Sequence, residues 1–127
     1  MVRRVRVLLD THVLLWARSS PDRLTSRQRA AVQDPRNTVF VSAVSIAEIG
    51  IKTSHGKLTV PDGFTEGLAD FGLDELPFTT AHALALRDLP PHHRDPFDRM
   101  LLCQAIVDDL VFVTSDQRCA LYEVRTL

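Results

Sequence analysis

Short apolar segments with strand-like composition alternate with helix-like segments along the chain, and this alternation restricts the fold more than any other feature. Strands are predicted at Val5–Leu9, Thr38–Val41 and Leu110–Thr114, and a shorter one at Leu73–Pro77. Strands connected through helices run parallel, because each helical connection returns the chain to the starting edge of the sheet. The sequence therefore predicts an α/β fold with a central parallel sheet and helices on both faces.

Helices are predicted in the segments between these strands. Capping-box patterns at Thr25 and Ser45 begin two of them. Further helical segments are predicted at residues 13–17, 62–71, 80–87 and 118–127. The last of these segments is long enough to include an edge strand as well.

The helix that begins at Pro96 has the clearest start signal. Asp95 is suited to the N-cap and proline to the first helical position. Asp98 then lies in the first turn, where a carboxylate interacts with the positive end of the helix dipole. The residues behind it are apolar on nearly every side, so we expect this helix to be buried between layers.

The length and composition of the chain fit one globular domain spanning residues 1–127, of which 45% are hydrophobic and 24% charged. No apolar run approaches a membrane span, and the N-terminal apolar stretch is too short for a signal peptide, so we expect a cytoplasmic protein without membrane contact. Cys103 and Cys119 match neither a zinc motif nor a disulfide framework. Because the net charge is −1, nucleic-acid binding would depend on a local basic patch.

Four acidic residues are predicted to lie at the same edge of the sheet. Asp10 directly follows the first strand, and Asp116 follows the last strand by two residues. Glu48 and Asp98 lie in the first turns of predicted helices. Because functional sites of parallel sheets form beyond the carboxyl ends of the strands, we expect the four carboxylates to converge there.

A cluster of carboxylates needs a counter-charge. Two of them about 5 Å apart repel by roughly 3 kcal/mol at an effective dielectric constant near 20. Carboxylate oxygens are suited to hard cations, Mg²⁺ or Mn²⁺, rather than zinc. Such an ion can activate water for attack on a phosphodiester and neutralise the charge that develops on the phosphate. The pattern therefore predicts metal-dependent phosphodiester hydrolysis without a covalent intermediate.

Each acid also has a purely structural interpretation, and these alternatives stay open from the residues alone. Glu48 could complete a capping box with Ser45, and Asp98 could be an ordinary acid of a helix N-terminus. Asp10 could belong to a turn at the end of its strand, and Asp116 could be an N-cap.

Basic side chains near the same edge could contact phosphates, which position a nucleic acid without reading its sequence. These candidates are Lys52, Lys57, Arg94, Arg99, His12, His92 and His93. Lys52 could equally belong to a solvated helix face. We interpret His92–His93 as a polar loop rather than a metal site, because no third ligand stands at a convincing spacing. Trp16 is interpreted as a core residue, with base stacking as a lesser alternative.

Five segments of the chain resemble PIN-domain ribonucleases, and together they resemble the VapC toxins of toxin–antitoxin pairs. The segments are Leu8–His12, Ser42–Lys52, Gly56–Pro61, His93–Arg99 and Thr114–Asp116. The resemblance implies a three-layer α/β/α sandwich around a parallel sheet. It also implies an acidic quartet, which in this sequence is Asp10, Glu48, Asp98 and Asp116.

The same resemblance suggests roles for individual residues. Asp10 and Asp98 would be the direct metal ligands, and the other two acids would complete the metal site directly or through water. Thr11 and Ser115 match small hydroxyl positions beside the site. With Arg99, they are our candidates for contacts to the substrate.

The resemblance further implies an endoribonuclease that requires Mg²⁺, or Mn²⁺ in its place, and cleaves structured RNA such as tRNA or rRNA. Proteins of this kind are homodimeric toxins of type II toxin–antitoxin pairs. A cognate VapB-like antitoxin inhibits them by laying its C-terminal segment across the active site.

Three other function classes fit the sequence less well. A PIN-like module that binds RNA or a partner without cleaving gains nothing from four carboxylates facing phosphates. A receiver-type signalling domain would have an acidic pair before Asp10 and a lysine after the last strand. A phosphatase of the haloacid-dehalogenase type would have a second acid where His12 stands.

Overall fold

Four parallel strands form the central sheet of the computed structural model, which describes residues 4–127. The strands are β1 (Arg6–Leu9), β2 (Thr38–Ser42), β3 (Leu73–Leu76) and β4 (Val111–Val113). Their order across the sheet is β3-β2-β1-β4, and all three neighbouring pairs are parallel. The predicted α/β fold with a parallel sheet is therefore confirmed.

Five α-helices connect and cover these strands. They are α1 (Thr11–Ser19), α2 (Ser26–Gln33), α3 (Ala43–Ser54), α4 (Thr80–Ala85) and α5 (Pro96–Val107). Short 3₁₀ turns lie at Pro21–Arg23, Leu68–Phe71, Leu86–Asp88 and Gln117–Leu121. Within residues 4–127, none of the helices is long and apolar enough to span a membrane.

The sheet separates two hydrophobic cores, so the fold has three layers. Val7 and Leu9 pack into one core, together with Val13 of α1, whereas Leu8 points into the other core, against Leu101 of α5. Val7, Leu8 and Leu9 are all fully buried. This explains why the sequence of β1 lacks the apolar–polar alternation of a strand with one solvated face.

The C-terminal residues cover the outer edge of β4. The Phe112 amide donates to the Arg125 carbonyl at 2.8 Å, and the Leu127 amide donates to the Phe112 carbonyl at 3.0 Å. Thr126 forms a parallel bridge with Phe112. The helix predicted at residues 118–127 is wrong, because only a 3₁₀ turn forms, at Gln117–Leu121, and the edge strand expected after it is reduced to a single bridge.

Helix α3 begins earlier than the sequence predicts. Its N-cap is Ser42, whose hydroxyl oxygen accepts a hydrogen bond from the Val44 amide at 2.9 Å, so Ser45 is an interior residue of the helix. Glu48 consequently lies in the second turn rather than the first. The predicted capping box of Ser45 with Glu48 is wrong.

Two further helix predictions need correction. Residues 62–71 form turns and the short 3₁₀ segment rather than a helix, because Gly63 adopts a positive φ of 74°. The end of α5 is not buried between layers: Ile106 and Val107 are 38% and 44% exposed.

Candidate active site

Asp10 lies at the carboxyl end of the central strand β1 and also caps α1. Its Oδ1 accepts a hydrogen bond from the Val13 amide at 2.7 Å, and its Oδ2 accepts one from the Thr114 hydroxyl at 2.6 Å. The residue is 5% exposed, and burial raises the pKa of its carboxyl group. Asp10 is therefore a fixed and largely desolvated acid, and Thr114 is a contact of the site that the sequence did not indicate.

Glu48 points inward from α3 and is only 3% exposed. Its Oε2 accepts a hydrogen bond from Lys52 Nζ at 2.5 Å. Its Oε1 is buried and has no hydrogen-bond partner among residues 4–127. A buried carboxylate oxygen without a partner is costly, so this atom is positioned for a ligand outside the protein chain.

Asp98 lies in the first turn of α5, behind the N-cap Asp95. Burial raises the pKa of Asp98 to about 6, and the negative charges of Asp95, Asp10 and Glu48 act in the same direction. His93 acts in the opposite direction and lowers the pKa of Asp98. The Asp98 carboxyl group is thus close enough to the other acids for their charges to raise its pKa.

Asp116 differs from the other acids because protein groups already neutralise it. It follows β4 and accepts hydrogen bonds from Arg118 Nε at 3.0 Å and Arg118 Nη2 at 2.7 Å. It also interacts with His93 Nε2 at 2.8 Å. The bonds from Arg118 hold the pKa of Asp116 below its usual range.

His93 is a member of the site that the sequence analysis assigned to a polar loop. It is 2% exposed, and its Nε2 lies 2.8 Å from Asp116 Oδ2 and 3.1 Å from Asp98 Oδ2. These three residues each offer a possible metal-ligand atom within 4.8 Å of the others. The sequence offered His92–His93 no third ligand at a convincing spacing, but the fold places Asp98 and Asp116 beside His93 because it brings the end of β4 to the start of α5.

These side chains surround an open cleft of about 810 Å³, a volume suited to a nucleotide. Asp10, Asp98 and Asp116 all line it. Glu48 lies beneath the surface, although its charge acts on Asp98. The remaining lining residues are His12, Trp16, His93, Arg94, Asp95, Ser115, Gln117 and Arg118.

The structure places two candidate substrate contacts away from this cleft. Thr11 is 4% exposed, and its hydroxyl donates to Ser45 Oγ at 2.9 Å. The Arg99 guanidinium donates to three backbone carbonyls within residues 89–93. Both side chains thus hold the fold together. Ser115, in contrast, is exposed on the cleft.

The donor set fits a divalent cation. Asp98 and Asp116, with His93, offer ligand atoms within 4.8 Å of one another. Among the described residues, Asp10 and Glu48 lie outside that group, although their charges act on Asp98 and Glu48 Oε1 is buried without a hydrogen-bond partner. Lys52 offsets part of this negative charge from one side. Hard oxygen ligands of this kind suit a cation such as Mg²⁺ or Mn²⁺.

Comparisons with known proteins agree with this architecture. No curated protein matches the sequence significantly. Among solved structures, the chain is similar to a chain of VapBC2 from Rickettsia felis bound to a promoter DNA fragment, with a TM-score of 0.71, 15% identity, and coverage of 97% of this chain and 98% of the other.

Two further structures are also similar. DNA-bound VapBC from Salmonella typhimurium gives a TM-score of 0.66 at 19% identity, covering 97% of both chains. FitAcB from Neisseria gonorrhoeae gives a TM-score of 0.60 at 20% identity, and the similarity covers 95% of this chain and 96% of the other. The family model described as "PIN domain" matches residues 7–126. With four parallel strands, an acidic cleft at their carboxyl ends and this match over nearly its whole length, the chain belongs to the PIN domain family.

Proposed function

We propose that this protein is a metal-dependent endoribonuclease and the toxin of a type II toxin–antitoxin pair. The observation that carries this proposal is the buried Glu48 Oε1, which has no hydrogen-bond partner among residues 4–127, together with the charges of Glu48 and Asp10 that act on Asp98. A domain that only binds RNA would lose affinity by placing these charges beside phosphates. A nuclease needs them, because they hold a cation.

The residues of this chain divide the work of the proposed reaction. Asp10, Asp98 and Glu48 hold the cation, and Asp116 completes the site directly or through water. A Mg²⁺ ion held by these residues, or Mn²⁺ in its place, would supply an activated water and would offset the charge that develops on the phosphate. Thr114 and Lys52 hold Asp10 and Glu48 in position.

The rim of the cleft supplies contacts for an RNA strand. Arg94 and His12 are exposed there and can bind backbone phosphates. Ser115 adds a hydroxyl group. The centroids of the Trp16 and His12 rings lie 6.0 Å apart. Together, the two rings form a surface on which an unpaired base can stack. From the family resemblance, we propose structured RNA, tRNA or rRNA, as the substrate.

The proposed partners follow from the relatives. The similar chains come from VapBC and FitAcB assemblies, two of them recorded with DNA in VapBC complexes. We therefore propose that this chain binds a cognate VapB-like antitoxin. From the family resemblance, we also propose that it forms a homodimer. The antitoxin would inhibit cleavage by occupying the acidic cleft.

Sequencing of RNA ends after induced expression tests the proposal. Wild-type protein should produce new 5′ ends at defined sites and arrest growth, whereas Asp10→Asn and Asp98→Asn should do neither. Asp74→Asn, which changes an exposed acid of β3, is the matched control and should cleave like wild type. If Asp98→Asn folds and still cleaves at the wild-type rate, the proposed mechanism is wrong.

A further inference from the structure

His93 is held by hydrogen bonds from four directions. Its amide donates to the Tyr122 hydroxyl at 2.8 Å, and its carbonyl accepts from Arg99 Nη1 at 3.1 Å. Its ring contacts the Asp95 amide through Nδ1, at 3.1 Å. The other ring nitrogen, Nε2, meets the two carboxylates described above. The position and the rotation of the imidazole are therefore both fixed.

The contact at Nδ1 decides which ring nitrogen carries the proton. The Asp95 amide can only donate, so Nδ1 must accept and cannot carry a proton. The ring proton then lies on Nε2. Nε2 can then donate its proton to Asp116 Oδ2 at 2.8 Å, and Asp98 Oδ2 lies 3.1 Å from the same nitrogen.

A ring nitrogen that carries a proton has no lone pair for a metal ion. His93 Nε2 would have to lose its proton before it could bind a cation, and moving that proton to Nδ1 would break the bond with the Asp95 amide. Proximity alone groups His93 with Asp98 and Asp116 as possible ligands. The hydrogen-bond pattern indicates instead that His93 interacts with the two carboxylates and not with the ion.

We propose that His93 is a positioning residue, whose Nε2–H donates to Asp116 and lies beside Asp98, and which holds these two carboxylates in place without itself binding the cation. The inference rests on the proposed function. It links the start of α5 to the loop after β4, two elements that the chain separates by a strand and a helix. Groups that orient metal ligands in this way typically affect metal affinity by about 10- to 100-fold.

Two substitutions test the roles of the two ring nitrogens separately. In His93→Gln, the side-chain amide can place an N–H where Nε2–H lies. In His93→Asn, the shorter side chain can still accept from the Asp95 amide but cannot reach the two carboxylates. We expect His93→Gln to bind Mn²⁺ within a few-fold of wild type, and His93→Asn to bind it about 10- to 100-fold more weakly, as measured by calorimetry.

His82 provides a matched control. It is 3% exposed, its Nδ1 accepts from the Thr79 amide at 3.0 Å, and its Nε2 lies 3.0 Å from Asp108 Oδ2. It thus has the same bonding pattern with a carboxylate outside the site. His82→Asn should lower the melting temperature and leave Mn²⁺ affinity unchanged.

Spectroscopy of the wild-type chain tests the inference without any substitution. Nitrogen-15 NMR of histidine-labelled protein should show His93 with its proton on Nε2, both without metal and with Mg²⁺. Electron spin-echo measurements on the Mn²⁺ complex should show no directly coordinated imidazole nitrogen. A coordinated nitrogen that disappears in His93→Gln would overturn the inference, as would wild-type Mn²⁺ affinity in a folded His93→Asn variant.

These outcomes differ from a failure of the proposed function. If Asp98→Asn leaves Mn²⁺ binding intact, the acidic cluster is not the metal site, and the proposed function fails first. If Asp98→Asn abolishes binding but His93→Asn does not weaken it, only the role of His93 is wrong.

Discussion

The hydroxyl group of Thr114 donates a 2.6 Å hydrogen bond to Asp10 Oδ2 and so ties the carboxyl end of β4 to that of β1. The same hydroxyl oxygen accepts from the Asp116 amide at 3.1 Å. One buried side chain thereby fixes two of the four acids of the cleft relative to each other. The site depends on this contact between residues that are 104 positions apart in the chain.

Replacing Thr114 with valine should destabilise the fold and weaken cation binding. The substitution keeps the shape but leaves a buried oxygen of Asp10 without its donor, which typically costs about 1–3 kcal/mol. Urea denaturation and Mn²⁺ calorimetry measure the two effects. Thr114→Ser retains the hydroxyl group and serves as the control. Equal stability of the valine and serine variants would contradict the role of this bond.

Asp98→Asn should stabilise the metal-free protein at pH 7.5. The pKa of Asp98 is raised from 3.8 to about 6 in the folded protein, so the folded state binds more protons than the unfolded state between these values. The free energy of unfolding therefore falls as the pH rises through this window and Asp98 ionises. Asparagine cannot ionise, so the substitution removes this destabilisation. Denaturation in EDTA should show a clear gain at pH 7.5 and little gain near pH 4. The same gain at both pH values would argue against a strained carboxylate.

Asp116→Asn, in contrast, should destabilise the metal-free protein under the same conditions. Its pKa lies below the usual range because of the hydrogen bonds from Arg118. The ionised carboxylate therefore contributes stability above its unfolded pKa, and this contribution is lost as the pH falls. We expect a lower melting temperature at pH 7.5 and a smaller difference in acid. A stabilised variant would show that Asp116 belongs with the strained acids.

Arg118→Gln should increase the affinity of the cleft for Mn²⁺ by a few-fold. The Arg118 guanidinium is 60% exposed and forms a two-point contact with Asp116, so it competes with a cation for the same carboxylate. Arg36 makes the same contact with Asp34, two residues before it and outside the cleft. Arg36→Gln is therefore the control and should leave the affinity unchanged. Weaker binding in Arg118→Gln would indicate that Arg118 orients Asp116 rather than competing for it.

Both cysteine thiols should be unreactive in the native protein. Cys103 and Cys119 are each 1% exposed, and burial raises the pKa of Cys119 to about 12 and that of Cys103 above its ordinary value. Because the thiolate is the nucleophile, thiol-specific reagents should react slowly with the native protein at pH 8. In denaturant, both thiols should react rapidly. Rapid labelling of the native chain would contradict this.

Local signals in the sequence predicted the elements whose start depends only on neighbouring residues. Asp95 and Pro96 begin α5, and the Thr25–Gln28 capping box begins α2, as expected. These contacts span at most three residues, so the same hydrogen bonds form whatever the rest of the chain does. The alternation of strands and helices likewise predicted a sheet covered on both faces, and Val7, Leu8 and Leu9 of β1 are fully buried.

Competing local signals were resolved by distant contacts. Ser42 and Ser45 are both suitable N-caps for α3, and the sequence favoured Ser45. In the fold, the Ser42 hydroxyl donates to Gln104 Oε1 at 2.5 Å, and Ser45 Oγ accepts from Thr11. Partners 62 and 34 residues away thus decided where the helix begins.

The sequence by itself determined where the four strands and most of the helices lie along the chain, and which acids are candidates, because these depend on residue type and short-range spacing. Only the tertiary structure decided how those acids differ from one another. Within residues 4–127, it left Glu48 Oε1 without a hydrogen-bond partner, paired Asp116 with Arg118, and placed His93 between Asp116 and Asp98. Burial and the arrangement of charges across the sheet edge govern these differences, and both arise only when distant segments of the chain are packed together.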